Sequence, residues 1–321
     1  MKNIFIQLLL LISLTTFSQN GDSVNVVVKD TSWKVSGFFG VNASQTALSN
    51  WQGGGQNNVA INNIFSGEAV YKKGKIIWLN KLDAQYGVIK PGDDKLFKKN
   101  LDQLFAISKL DIDAFAKNFY YTTQADFRTQ FAPGYNYNGD SISGRATSDF
   151  LSPGYTQLAF GLEYKPVKGL SIFVAPLAGK MTYVNRQYLA DEGAYGVQKA
   201  VTDTAGNIIK HGKKSRYEFG GRLVLKFKKE INKKISIDSY LDLFSDYLHN
   251  PQNIDVVFNN LITIKIHKLF TASIICQMVY DDDIIIKRDW NKDGKYDNPH
   301  DINGPRLQVL STFALGFGYK F

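Results

Sequence analysis

Residues 119–131, FYYTTQADFRTQF, separate two kinds of side chain by strict alternation. The even-numbered positions are mostly polar or charged: Tyr120, Thr122, Gln124, Asp126, Arg128 and Gln130. The odd-numbered positions are aromatic, small or threonine: Phe119, Tyr121, Thr123, Ala125, Phe127, Thr129 and Phe131. A helix would scatter both sets around its circumference, whereas a strand places them on opposite faces. The stretch therefore predicts a β-strand with one apolar face and one charged face.

The same period of two recurs along the chain and predicts about twelve strands. Many of them run for ten residues or more, whereas a typical strand of a soluble protein has about five or six. A tilted strand that crosses a bilayer needs about 9–11 residues. The predicted strands cover residues 32–44, 57–72, 75–89, 101–114, 118–131, 155–165, 169–184, 215–228, 233–248, 253–266, 269–281 and 306–321.

The connections between these strands alternate between short and long. The short ones cover residues 72–75, 115–118, 166–169, 229–233 and 267–268, and the long ones 44–56, 90–100, 132–154, 185–214 and 282–305. Residues 249–253 break the rhythm, because they form a short connection where a long one is expected. Short periplasmic turns and long extracellular loops are typical of outer-membrane barrels. We therefore predict an all-β, closed antiparallel transmembrane barrel in the cell outer membrane, and we expect a monomer.

A soluble, secreted β-sandwich is the alternative, since burying one strand face in a shared core gives the same alternation. Three features favour the barrel. The strands are long, aromatic residues such as Trp33, Trp78 and Tyr164 lie near predicted strand ends, and the chain closes on Phe321. This terminal aromatic strand resembles the C-terminal recognition signal of bacterial outer-membrane proteins. The expected partners are therefore outer-membrane lipid and, during biogenesis, the barrel-assembly machinery.

The composition excludes several classes of protein. The 321 residues include one cysteine, Cys276, which excludes an internal disulfide framework and a thiolate zinc cluster. The four histidines lie far apart and show no zincin spacing. The net charge of +9 comes from lysines in short turns and loops rather than from a basic helix face, so we do not expect nucleic acid as a partner.

The first 18 residues have the anatomy of a secretory signal peptide. Lys2 precedes an apolar run over residues 4–14, and small residues follow the run. An N-terminal membrane anchor is the alternative, but the apolar run is too short to span a bilayer. We predict a signal peptide at 1–18, a periplasmic N-terminal segment at 19–31 and the barrel at 32–321.

The segment 289–297, DWNKDGKYD, resembles a calcium-binding loop. Oxygen ligands at alternate positions can wrap one Ca²⁺, and a glycine, here Gly294, permits the sharp turn. The usual bidentate glutamate is missing, because His300 stands in its place. An ordinary solvated turn explains the same residues equally well, and both interpretations stay open. The candidate ligands are Asp289, Asn291, Asp293, the carbonyl of Lys295 and Asp297.

Charged side chains on the polar strand faces are predicted to line the barrel lumen. We expect Arg222 to pair with Asp238, and Glu68 with Lys81, because each pair lies near-opposite or diagonal across a short turn and buried charges cost least when paired. Such a lining is compatible with a narrow aqueous pore or with a salt-bridged, closed interior. The predicted lumen and mouth residues are Glu68, Lys81, Asp126, Arg128, Arg222, Asp238, Asp242, Asp246, Asp255 and Asp281.

Acidic residues are predicted to gather at the mouth of the barrel. Asp246 and Asp255 flank the short loop 249–253 and should face each other, and Asp281 ends a neighbouring strand at the same level. Carboxylates held close together repel one another unless a cation neutralises them. The mouth is therefore interpreted either as cation-attracting, with a second divalent-ion site, or as neutralised by nearby cations. The second interpretation is favoured, with three cations available: Lys287, Arg288 and Arg306.

The first long loop contains the sequence WQGGG, with Trp51, Gly53 and Gly54 as a candidate gate. Glycines permit positive φ and close approach, so the aromatic ring can fold inward over the lumen as a gate or a ligand platform. The alternative is a turn that one tryptophan anchors at the membrane surface.

Catalysis is not expected. Ser245 and His249 are the best candidates for a lipid-hydrolysing pair, because some twelve-stranded barrels are phospholipases. They straddle a strand end, and the sequence offers no acidic or amide group to orient the histidine. Cys276 is predicted to face lipid and to be inert.

The chain resembles the domain-of-unknown-function family 3078 of Bacteroidota-type outer-membrane proteins over residues 32–321. The resemblance implies a barrel of unassigned function and supplies no catalytic residues, and the calcium-like loop is not part of its pattern. We expect a narrow passive pore or an envelope structural protein; the alternatives are a loop-mediated binding module for a protein or glycan, and a barrel-embedded lipid-modifying enzyme. The resemblance rests on WQGG (51–54), PLAGKMTYV (176–184), LFSDY (243–247), NIDV (253–256), YDD (280–282) and the 304–308 start of the last strand.

Overall fold

The computed structural model describes residues 32–46, 58–92, 94–267, 270–288 and 302–320. Its first strands are β1 (Trp33–Thr46), β2 (Asn58–Lys73), β3 (Ile76–Pro91), β4 (Lys98–Asp113), β5 (Phe119–Thr129), β6 (Gly134–Asn138), β7 (Ser141–Ser148), β8 (Gly154–Tyr164) and β9 (Leu170–Tyr183). A short helix, α1 (Gln187–Asp191), and a 3₁₀ turn (Ala194–Gly196) follow. The remaining strands are β10 (Val201–Thr202), β11 (Ile208–Lys210), β12 (Ser215–Glu230), β13 (Ile235–Asp246), β14 (Ile254–Lys265), β15 (Phe270–Tyr280), β16 (Ile286–Arg288), β17 (Ile302–Gly304) and β18 (Gln308–Lys320).

Twelve long antiparallel strands close into one barrel. Their order around the barrel is β1-β18-β15-β14-β13-β12-β9-β8-β5-β4-β3-β2, and β2 pairs with β1. Closure pairs the backbone groups that a free sheet edge would leave open, as a membrane-spanning sheet requires. The predicted fold, a closed antiparallel barrel of about twelve strands, is confirmed, and all twelve predicted ranges overlap a barrel strand.

Apolar side chains cover the outer face of the barrel. The register aligns Trp33 with Tyr71 and Tyr71 with Trp78, and the Trp33 ring lies 5.2 Å from Tyr71 and 5.9 Å from Trp78. This aromatic group lies at the short-turn end, where a girdle at the membrane interface is expected. In the part of the chain that the structure describes, no helix is long and apolar enough to cross a membrane. The barrel has the architecture of an outer-membrane protein, as the sequence predicted.

Small side chains line one side of the lumen. The buried apolar cluster inside the barrel comes from β8, β9, β12 and β13: Ala159, Phe173, Ala175, Ala178, Val224 and Phe244. The four strands carry alanine or valine at most of these inward positions. Because these side chains are short, charged groups on more distant strands can reach across them.

The long loops carry short elements that the alternation pattern did not predict. The hairpin β6–β7 and the loop at 184–214 are joined by hydrogen bonds from Tyr188 Oη to the Ala146 carbonyl (2.8 Å) and from Tyr195 Oη to the Thr147 carbonyl (2.6 Å). The loop also has a small core of its own: Val184, Leu189, Ala190 and Val197. The β6–β7 hairpin and the loop at 184–214 therefore form a folded extracellular layer rather than irregular connections.

Candidate functional site

Ion pairs cross the lumen at three levels. Each level joins strands that are not neighbours in the barrel. The lower layer, near the short turns, comprises Lys109, Asp111, Glu163 and Lys165. The middle layer comprises Asp126, Arg222, Tyr240 and Asp242. The upper layer, near the long loops, comprises Lys180, Arg216, Glu218, Asp255 and Asp281.

Arg222 holds the middle layer together. Its Nε and Nη2 donate to the two carboxylate oxygens of Asp242 at 2.9 and 2.7 Å, and Nη2 also reaches Tyr240 Oη at 3.1 Å. Its Nη1 donates to Asp126 on β5. The contact with β5 passes over β8 and β9, because their inward side chains at this level are alanines. The planar guanidinium suits two carboxylates at once, and its side chain is only 1% exposed.

The lower layer pairs two lysines with two carboxylates. Lys165 Nζ lies 2.6 Å from Asp111 and 3.0 Å from Glu163. Lys109 on β4 donates to Glu163 on β8 and passes over β5. Thr122 Oγ1, on β5, donates to Asp111 at 2.8 Å. Each buried charge therefore has an opposite charge beside it, which such burial requires.

The upper layer brings the mouth carboxylates around one ammonium. Lys180 Nζ lies 2.6 Å from Asp255, 3.1 Å from Asp281 and 3.4 Å from Glu218. Oxygen atoms of Asp255, Asp281 and Asp282 lie within 4.8 Å of one another, close enough for a shared cation. Two of these three carboxylates already bind Lys180, and Asp282 accepts a hydrogen bond from the Asn253 side chain at 2.7 Å. Ion pairing therefore accounts for this cluster.

A small polar cavity of about 100 Å³ lies between the middle and upper layers. Arg128, Tyr155 and Asn259 are among its lining residues. The Arg128 guanidinium lies 5.1 Å from the centre of the Tyr155 ring, a cation–π contact. The volume is enough for a few water molecules, so this end of the lumen is polar and narrow.

Four strands carry none of these cross-lumen bonds within the described residues: β18, β1, β2 and β3. We call their inner face the unbridged wall. Its charges lie near the short-turn end, where Lys81 Nζ pairs with Asp83 at 2.8 Å on the same strand. Most of its other polar inward side chains are neutral, among them Ser36, Asn62, Gln85 and Gln308. The lumen is thus bridged on one side and unbridged on the other.

Arg222 and Asp238 do not pair, contrary to the prediction. Arg222 stands opposite Phe244 in the register and binds Asp126 and Asp242, whereas the Asp238 carboxylate lies 3.9 Å from Lys228 Nζ. The turn before β13 shifts Asp238 towards the exposed end of β12, away from Arg222.

Glu68 and Lys81 are aligned in the register, but Lys81 binds Asp83 instead. The Asp83 carboxylate also accepts a hydrogen bond from Ser66 Oγ at 2.5 Å. An acidic side chain two residues away on the same face of the strand therefore replaces the expected cross-strand partner.

Asp246 and Asp255 have separate partners at the mouth, because Asp255 binds Lys180 and Asp246 binds groups of its own loop. Asp246 accepts hydrogen bonds from its own loop, from Leu248 N at 2.9 Å and in a 3.2 Å contact with His249 Nδ1. Neutralisation of the mouth carboxylates was the favoured interpretation, but the cations are Lys180 and Arg216. Arg306 donates to the carbonyl of Pro305, and the side chains of Lys287 and Arg288 lie outside the described residues.

Two predicted sites lie outside the described residues. These are the calcium-like ligands Asp289, Asn291, Asp293, Lys295 and Asp297, and the gate residues Trp51, Gly53 and Gly54. Calcium binding stays a prediction that calorimetry can check. Ser245 Oγ donates to the Pro251 carbonyl at 2.7 Å rather than to His249, which contacts Asp246 instead.

Sequence reasoning did not single out the cations and anions that complete the layers: Lys109, Asp111, Glu163, Lys165, Lys180, Arg216 and Glu218. A signal for most of them was available. Lys109, Glu163, Lys180 and Glu218 each occupy the inward-facing parity of a barrel strand. Parity alone does not say which of these charges meet, because their partners lie on distant strands.

Solved outer-membrane barrels resemble the fold at low sequence identity. The COG4313 outer membrane channel from Pseudomonas putida F1 is 10% identical, with a TM-score of 0.40 over 94% of this chain and 100% of that one. The translocator domain of the autotransporter NalP from Neisseria meningitidis is 10% identical, with a TM-score of 0.34 over 92% and 91%. A mutant of the TodX monoaromatic hydrocarbon channel is 8% identical, with a TM-score of 0.31 over 90% of each chain.

Among curated protein sequences, none is significantly similar to this chain. One family model matches residues 43–135, which run from the end of β1 into the β6 hairpin. The match agrees with the resemblance seen in the sequence over this stretch, and it leaves the predicted Bacteroidota origin untested. Over residues 43–135 the chain carries the sequence pattern of the protein family of unknown function DUF3078.

Proposed function

We propose that the protein is a narrow passive pore for small hydrophilic solutes, with its path along the unbridged wall. The observation that carries the proposal is the asymmetry of the lumen. Three ion-pair layers cross the side formed by β4 to β15, and within the described residues none crosses the side formed by β18, β1, β2 and β3. Neutral amides and hydroxyls on that wall replace part of a solute's hydration without trapping it.

A weak preference for cations is part of the proposal. At the mouth, Glu218, Asp255, Asp281 and Asp283 surround two cations, Lys180 and Arg216. This arrangement leaves more carboxylates than cations, and a mouth with such an excess raises the local concentration of positive ions.

Planar-bilayer recordings of the purified full chain test the pore. We expect small conductance steps from the wild type and larger steps from R222A, because removal of the guanidinium opens the middle layer. The matched control is K228A on the same strand, since the Lys228 side chain is 72% exposed at the short-turn end. Its steps should equal those of the wild type. Absence of steps from both the wild type and R222A would overturn the pore and favour a structural role.

Loop-mediated binding is the second candidate, and the folded extracellular layer favours it. Apolar side chains stand exposed on this layer, including Ile142 (50%), Ile208 (47%) and Ile209 (68%). A glycan or protein partner would cover them. Replacement of Ile208 and Ile209 by serine should abolish retention on a glycan array while leaving conductance unchanged, and an unchanged array profile would contradict this candidate.

We further propose that the barrel acts as a monomer, is inserted by the barrel-assembly machinery and catalyses no reaction. The Ser245 hydroxyl supports the last point, because it donates to a backbone carbonyl rather than to a histidine. Hydrolysis of phospholipid by the purified protein, lost in S245A, would contradict it.

A further inference from the structure

Lysines crowd the short-turn, periplasmic end of the barrel. Lys72 and Lys73 end β2, Lys75 lies in the turn to β3, and all three are exposed. Within the described residues, the exposed carboxylates at this end are those of Asp113, Glu230 and Asp238. The end is therefore strongly positive.

The end of β12 and the turn to β13, together called the β12–β13 connection, repeat the arrangement with four exposed lysines: Lys228, Lys229, Lys233 and Lys234. One of them, Lys228, lies 3.9 Å from the Asp238 carboxylate. The remaining three form no ion pair with any described residue. Ammonium groups left without protein partners are available to an external anion.

An exposed apolar side chain accompanies the lysines in each short turn. The most exposed is Phe115 at 72%, followed by Val167 at 62%, Ile266 at 57%, Ile231 at 54% and Ile76 at 41%. Phe115 stacks on Phe119 at 5.5 Å, and Phe119 stacks on Tyr164 at 4.5 Å. The Phe115 ring thus continues the outer aromatic surface downwards to the level of the lysines.

The opposite end of the barrel has a different charge arrangement. Several of its cations are bound to carboxylates, as in Lys99 with Asp102 at 2.7 Å and Arg186 Nε with Asp149 at 2.6 Å. Exposed lysines without an ion pair to a described residue occur there too, such as Lys199 and Lys210, but exposed carboxylates such as those of Asp140 and Asp203 lie at the same end, whereas few lie at the periplasmic end. The asymmetry argues against a general excess of basic residues as the explanation.

We propose that this periplasmic lysine rim binds the phosphate groups of anionic phospholipids in the inner leaflet of the outer membrane. From the middle of the barrel towards its periplasmic end, the outer surface changes from apolar side chains to aromatic rings and then to lysines. A membrane leaflet changes in the same order from acyl chains to the interface and then to the headgroups. Lysine stems lie along apolar surface while the ammonium reaches the phosphate. The exposed Phe115 and Ile76 favour lipid over a soluble acidic protein, since lipid covers both the apolar side chains and the charges.

Lipid restriction by the full-length barrel tests the proposal. The protein is reconstituted in phosphatidylcholine bilayers with a trace of spin-labelled phosphatidylglycerol or spin-labelled phosphatidylcholine. We expect the barrel to restrict phosphatidylglycerol at least about threefold more strongly, since each lysine near the surface adds attraction for anionic lipid. The preference should approach parity at 1 M salt, where charges are screened within about 3 Å.

Two charge-matched variants locate the effect. Replacement of the four lysines of the β12–β13 connection by glutamine should lower the preference for phosphatidylglycerol. Neutralising four extracellular lysines, Lys199, Lys210, Lys213 and Lys214, should leave it unchanged. Equal restriction of both lipids by the wild type would overturn the proposal and assign the rim to a soluble partner. An equal loss of the phosphatidylglycerol preference in both variants would overturn it as well. The salt titration uses the wild type alone and decides the question if a variant fails to fold.

Discussion

Arg222 donates hydrogen bonds to three side chains while almost none of its own surface meets solvent. Removal of the guanidinium would leave Asp126 and Asp242 buried and close together. A buried ion pair contributes little to stability in total, because the cost of desolvating both charges offsets their attraction. Loss of one partner destabilises the folded state, because it leaves the other charge buried and uncompensated.

R222A should lower the free energy of unfolding by about 3–5 kcal/mol. Urea unfolding in lipid, followed by the mobility of the folded band on gels, measures this change. The triple variant with D126N and D242N removes the stranded charges and should recover much of the loss. A triple variant no more stable than R222A would contradict this account of the middle layer.

Residue 161 has to be a glycine, because the backbones of two strands approach each other closely there. A Cβ atom there would lie 2.0 Å from the Val174 carbonyl oxygen and 2.6 Å from Ala175 Cα. The β8–β9 register shifts at this point, which brings the two strands together. G161A should therefore destabilise the barrel by about 1–3 kcal/mol through overpacking.

The matched control for G161A is G179A on β9. The nearest atom to a Cβ at Gly179 is 4.0 Å away, so this variant should unfold like the wild type. The same urea titration compares the two substitutions. Equal stabilities of both variants would show that the strands can separate without cost.

At the scale of elements, the loop at 184–214 is held by polar contacts that a period of two does not reveal. Asp191 accepts hydrogen bonds from the Gln187 side chain at 2.9 Å and from Gly212 N at 2.7 Å, and it contacts His211. The bond from Gln187 is the largest cause of a lowered pKa at Asp191, and the Gly212 and His211 bonds add to it.

Acid should loosen this loop. The pKa of Asp191 in the folded loop is below its ordinary value of 3.8. The ionised carboxylate therefore stabilises the loop fully above pH 3.8, and this stabilisation is lost as the pH falls through the lower pKa of the folded loop. Hydrogen exchange, corrected for intrinsic rates, should show the Gly212 amide losing protection in this range. D191N should weaken that protection at neutral pH and remove its acid dependence.

The Val184 amide serves as the internal control for acid loosening, since it binds the Lys214 carbonyl through a backbone bond of 2.7 Å. Its protection should change little over the same range. If both amides lose protection together in the wild type and in D191N, another acidic group controls the loop.

At the scale of the whole molecule, the barrel closes through a short seam. β1 and β18 are paired over five residues, Phe38–Asn42 with Gly316–Lys320, whereas β2 and β3 are paired over sixteen. Fewer ladder bonds mean a lower free energy of local opening. The β1–β18 pair should therefore open before any other strand pair of the barrel that the structure describes.

Hydrogen exchange on the reconstituted protein checks the seam. Amides of residues 38–42 that face β18 should exchange at least about tenfold faster than those within the β2–β3 pair, a difference of about 1.4 kcal/mol in opening free energy. Amides of β1 that face β2 are the control and should be slow. Uniform protection around the barrel would contradict a weak seam.

The sequence by itself determined the strands, their faces and the closed barrel, because an alternation such as that of residues 119–131 is a local property of an extended chain. Short loop strands such as β10 and β16 were missed, since two or three residues show no period. Only the tertiary structure decided which charges meet. Arg222 and Asp126 are 96 residues apart, and Lys180 and Asp281 are 101 apart. Barrel curvature brings both pairs together, and the alanines of β8 and β9 leave room between Arg222 and Asp126. Neither feature is visible in the pattern of one strand.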